Sequence, residues 1–82
     1  HTLSSGSHEI IELTLPIDSK LIGKTLPEIA DPGNFLVMLI KKSNTENYKI
    51  PDGTTSLDAN DQLIVIVNSD KSKKLLASFG VK

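Results

Sequence analysis

An α+β fold, a small antiparallel or mixed sheet with helices packed on it, is what this 82-residue sequence predicts. Three observations carry that reading. Apolar or alternating runs of strand length occur at 8–15, 34–40 and 62–67, with a shorter one at 48–50. Turn residues separate them at Pro16, Asp31-Pro-Gly33, Pro51-Asp-Gly53 and Ala59-Asn-Asp61. Helix signals stand apart from these runs, one after Gly23 and one at the C-terminal end. The expected order is β-α-β-β-β-α over residues 8–82, a single domain, with residues 1–7 as a linker or tail. Leu, Ile, Val and Phe supply 26 of the 82 residues, well above the ~20% below which a chain tends to stay disordered.

Each element has a local reason. In His8–Leu15, Ile11, Leu13 and Leu15 share one face and Glu12 and Thr14 the other, the pattern of a half-buried strand. Pro16 ends it for want of an amide hydrogen. Thr25-Leu-Pro-Glu28 fits a capping box, with Pro27 tolerated in the first turn, and Asp31-Pro-Gly33 stops the helix after one or two turns. Gly23 just before the cap predicts a backbone with positive φ or a close approach. Asn34–Ile40 is apolar on both faces, so one face meets the core and the other needs a helix or a second subunit. Ser43–Asn47 reads as a hairpin loop and Tyr48–Ile50 as a short return strand. Leu57 is a lone apolar anchor, and Asn60 suits a left-handed turn position. Gln62–Val67 is another apolar strand. Ser69 or Asp70 is the expected cap of a last helix, which buries Leu75, Leu76 and Phe79 and stops at Gly80.

Composition removes several function classes. Nine Lys stand against ten acids, so no strong field points to nucleic acid or an anionic membrane. Arg is absent, and with it the best reader of guanine and phosphate; the few aromatics offer no stacking platform for single strands. Nucleic acid is therefore not an expected partner. Cys is absent, which excludes disulfides, thiolate metal sites and a cysteine nucleophile. His1 lies in the tail and His8 opens the first strand, so neither supports a catalytic triad or a metal site. Asp52, Asp58 and Asp61 sit in turns, where such residues serve the local backbone. Gly23-Lys-Thr25 lacks the upstream glycine of a phosphate-binding loop. No apolar run approaches the ~20 residues needed to span a bilayer. The chain is not expected to be an enzyme or to hold a cofactor.

The spacing of Leu21-Ile-Gly-Lys-Thr-Leu-Pro-Glu-Ile29, Val37-Met-Leu-Ile-Lys-Lys42, Ile50-Pro-Asp-Gly53, Leu57 and Asn60-Asp-Gln-Leu-Ile-Val65 resembles the RCK C-terminal domain, also called the TrkA-C domain. It covers residues 8 to 82 in order. Asn60 stands where that family usually has Gly, and Lys42 where an Arg is common. The resemblance implies a cytosolic regulatory domain of a potassium channel, transporter or cation:proton antiporter in the membrane, with the lead into Phe35 most like the antiporters. It further implies a homodimer, joined to a transmembrane transport domain, that binds a small nucleotide such as cyclic di-AMP or another adenine nucleotide between subunits. On that reading Phe35, Leu36, Val37, Ile50 and Pro51 line the pocket, and Lys42, by its position otherwise a solvated strand end, is the nearest candidate counter-charge for a phosphate. Val37 or Leu39, whichever faces outward, marks the dimer interface. The competing reading is a constitutive dimerisation module without a physiological ligand. An apolar strand at an interface serves both.

Overall fold

In the computed structural model, which describes residues 2–4 and 6–81, a four-stranded antiparallel sheet carries two helices. The strands are β1 (Thr2–Ser4), β2 (His8–Thr14), β3 (Phe35–Lys41) and β4 (Gln62–Asn68), in the order β1-β2-β4-β3. Helix α1 (Leu26–Ile29) lies between β2 and β3; helix α2 (Ser72–Phe79) follows β4 through a 3-10 turn at Ser69–Lys71. The predicted α+β class, the three longer predicted strands and both helices are present.

Two segments differ from expectation. The stretch read as linker or tail contributes β1, pairing Thr2 with Ile11, Leu3 with Ile10 and Ser4 with Glu9. Its end is tied down as well, since the Ser69 amide donates to the Ser7 carbonyl at 2.9 Å. A ladder along the edge of β2 needs backbone groups only, so a three-residue strand with a single apolar residue, Leu3, forms there without an alternating signature. Conversely, Tyr48–Ile50 does not form a strand. The return path makes a single antiparallel bridge, Ile40 with Lys49, closed by two hydrogen bonds of 2.9 Å. Pro51 has no amide to extend that ladder, and Ile50 is 83% exposed.

One face of the sheet holds the core. Ile11, Leu13, Leu15, Ile40, Leu57, Leu63, Val65, Val67, Leu75 and Phe79 form one buried cluster, which Leu26 and Ile29 of α1 and Leu76 of α2 flank. Leu57, the lone anchor, is fully buried. On α2, Leu75 and Phe79 are one turn apart and both buried, and the Phe79 ring meets the edge of Phe35 with centroids 5.9 Å apart. Neither Ser69 nor Asp70 caps this helix: the Ser69 hydroxyl donates to the Gly6 carbonyl instead. The helix closes at Gly80, left-handed at φ 85°, with Gly80 and Val81 amides donating to the Ala77 and Leu76 carbonyls. A Cβ at Gly80 would also come within 3.2 Å of Pro16.

The period of two places Ile10, Leu36, Leu39, Ile64 and Ile66 on the opposite face, in register as Ile10–Ile66, Leu36–Ile66 and Leu39–Ile64. Both helices pack on the core cluster, so that second apolar face carries no helix.

Candidate functional site: a groove along the open edge of β3

Three segments converge beside the first half of β3, and each is held by its own sequence. The first is α1. Its capping box is present: the Glu28 carboxylate accepts the Thr25 amide at 2.8 Å and the Thr25 hydroxyl at 3.0 Å. The hydrogen bond from the Thr25 amide, then that from its hydroxyl, holds the Glu28 carboxyl below the usual glutamate range. Gly23, at φ 87°, lets the chain turn back so that its amide meets the Leu57 carbonyl at 2.8 Å while the Leu57 amide returns to Lys24 at 2.9 Å. These bonds seat the four-residue helix, which is far too short to persist alone.

The second segment is the turn after the return path. Asp52 Oδ1 accepts the Thr54 hydroxyl at 2.6 Å, the Thr54 amide at 2.8 Å and the Thr55 hydroxyl at 3.3 Å. Those contacts, led by the Thr54 hydroxyl, keep the carboxyl below the usual aspartate range. The third segment is β3 itself. A β-bulge between Val37 and Leu39 inserts Met38, so the strand changes register midway.

Between them lies a cavity of about 290 Å³. Leu26, Pro27 and Ile29 form the α1 wall; Phe35, Leu36 and Val37 the β3 side; Pro51, Asp52 and Gly53 the third wall. Four residues nominated from the sequence, Phe35, Leu36, Val37 and Pro51, therefore meet at one groove. Ile50 does not line it. Of the two residues proposed to face outward, Leu39 lies on the opposite, helix-free side of the sheet, whereas Val37 lines the groove. The α1 wall and Asp52 were not foreseen: the capping box announces a helix, but four residues carry no periodicity to say which face it turns inward.

Lys42 stands elsewhere, and its role changes with its place. Its ammonium contacts the carboxylate of Asp61, pairs with Asp58 at 2.9 Å, and donates to the Ser56 carbonyl at 2.7 Å. Asp61 is fully buried and spends its remaining acceptors on the Asp58 amide at 2.9 Å and the Ser43 amide at 3.0 Å. Burial alone would lower the Lys42 pKa; hydrogen bonds to Asp61 and Asp58, with their charges, outweigh it and raise the pKa above the lysine norm. The expected phosphate counter-charge is thus a structural cation, closing the end of β3 onto the turn before β4. Asp52 serves its local backbone, as turn acids do, whereas Asp61 accepts the local Asp58 amide and also binds the Ser43 amide and the Lys42 ammonium, 18 and 19 residues away. Among the described residues no group of His, Cys, Asp or Glu could hold a metal ion.

Comparison with known proteins places this arrangement. The family model for the TrkA-C domain matches residues 10–80. A Trk system potassium uptake protein TrkA homolog from Archaeoglobus fulgidus is 30% identical over 79 residues, covering 96% of this chain and 18% of that protein. This chain therefore spans less than a fifth of the length of that curated relative. A solved structure described as "Structure of RCK domain with cda" superposes with a TM-score of 0.68 at 22% identity, covering 84% of this chain and 94% of its own. That likeness shows a shared fold. With the family model spanning both helices and three of the four strands, the chain belongs to the TrkA-C domain family.

Proposed function

We propose that this domain is the ligand-sensing regulatory module of a potassium or other monovalent-cation transport protein, and that its ligand binds in the β3 groove. The observation that carries this reading is the construction of the groove. Its walls come from three separately tethered segments, so a molecule filling it would join α1, β3 and the Asp52 turn and favour one of their arrangements. Apolar walls bearing two prolines suit a flat ring of adenine size. The regulated element would be a transmembrane transport domain elsewhere in a longer protein, in keeping with the TrkA homolog being more than five times longer than the matched region. Among the described residues no helix is long and apolar enough to cross a membrane.

The second apolar face supplies the other half of the proposal. Leu36, Leu39, Ile64, Ile66 and Ile10 would pack against a second copy, giving a cytosolic homodimer through which ligand binding is transmitted. That face also favours the constitutive dimerisation reading, in which the groove has no physiological ligand. Thermal shift against base-bearing small molecules separates the two. A ligand at 100 times its Kd should add about 2.7 kcal/mol of stability, a shift on the order of 10 °C for a domain of this size. A dimer that no such compound stabilises would support the constitutive module.

A further inference from the structure

The groove is unequal in what it offers a ligand. The Asn68 amide donates to the Asn34 carbonyl at 3.0 Å across the β3–β4 ladder. Antiparallel alternation then turns the backbone groups of Phe35 and Val37 the other way, toward the open edge. The Phe35 amide is taken by the Asp31 carbonyl at 3.3 Å. Among the described residues that leaves the Phe35 carbonyl and both the amide and carbonyl of Val37 without partners on the groove side. Asp52 adds an acceptor: Thr54 and Thr55 engage its Oδ1, and no partner reaches Oδ2 among the described residues. Three acceptors, one of them charged, therefore stand against two backbone donors, the amides of Val37 and Gly53. Charge leans the same way, for among the described residues Asp52 is the sole charged side chain in the lining. Lys42 is bound to Asp61 and Asp58, and Lys49, close enough to act on Asp52 by its charge, is outside the lining.

We infer that the groove selects a flat, neutral or cationic ligand rich in N–H donors and disfavours ligands that present phosphate. The inference rests on the groove being the sensor's binding site. A phosphate is an acceptor without donors and would meet a carboxylate and two carbonyls, whereas an exocyclic amino group on a ring meets the acceptors it needs.

Calorimetric titration of the intact domain with adenosine, AMP and cyclic di-AMP tests this, repeated with Asp52→Asn. Adenosine should bind at least about tenfold more tightly than AMP. Asp52→Asn, which keeps the Oδ1 acceptor for the turn, should narrow that gap several-fold. On the unmodified protein, added salt should strengthen AMP binding by screening the like charges, a result independent of whether the variant folds. Tighter binding of AMP or cyclic di-AMP than of adenosine, or AMP binding that weakens with salt, would overturn the inference while leaving the sensor reading intact. Absence of heat from all three at millimolar concentration would overturn both.

Discussion

Replacing Lys42 by Met keeps most of the side-chain volume and removes the ammonium from a carboxylate that is fully buried. Breaking a buried ion pair from one side costs ~3–5 kcal/mol, because the surviving charge is left without its partner. Two features reduce that here: the Lys42 side chain is 20% exposed, so water reaches the site, and Asp61 keeps the amides of Ser43 and Asp58. A loss of about 2–4 kcal/mol is expected. Each kcal/mol moves the melting temperature of a domain this size by ~4–8 °C, so Lys42→Met should melt roughly 8–32 °C below the parent. Adding Asp61→Asn to Lys42→Met should recover part of the loss, since the buried charge is then gone. The pH dependence follows in sign. The folded-state pKa of Lys42 lies above its ordinary value of 10.5, so the ion pair contributes fully below that value and is lost as pH rises through the higher folded value. The gap between parent and variant should hold at neutral pH and close in strong alkali. Thermal and urea denaturation monitored by circular dichroism measure all of this. A melting temperature for Lys42→Met within about 3 °C of the parent would refute the reasoning and return Lys42 to the status of a solvated strand end.

Gly23→Val should cost more than roughly 1 kcal/mol, because φ there is 87° and a β-branched residue is strained in that region, while Lys24→Ala should stay below about 0.5 kcal/mol; equal melting temperatures would contradict this. Phe79→Ala should destabilise by ~3–5 kcal/mol, since the ring is buried against Phe35, and urea unfolding at unchanged slope would measure it. If the helix-free face pairs two copies as proposed, Leu39→Asp should shift light scattering from dimer to monomer and leave the strand signal intact, whereas Val37→Asp should impair the groove.

Legibility in the sequence tracked physical cause. β2 and β4 were readable from apolar pattern, because alternation or a bounded apolar run is imposed by burial. Gly23 and Asn60 were readable because few residues adopt their positive φ, which is 87° and 69°. β1 was not, since its pairing uses backbone groups along an open edge. Tyr48–Ile50 was over-read, because β-propensity does not show that Pro51 ends the ladder. The groove was half legible. Its β3 side and Pro51 followed from the apolar strand and the resemblance, while the α1 wall and Asp52 depend on tertiary placement. Lys42 was mis-assigned for a related reason: its partner Asp61 is 19 residues away, and no local pattern announces a long-range ion pair.

The most direct test of the account is a two-dimensional amide NMR spectrum of the isotopically labelled domain titrated with adenosine. Saturable shifts should concentrate at Phe35, Leu36, Val37, Asp52 and Gly53, on the walls of the 290 Å³ cavity, with Ser43, Asp58 and Asp61 unmoved. Shifts confined to Lys71, Lys74 and Ser78, which line the separate cavity of about 150 Å³ beside α2, would contradict the groove as the binding site.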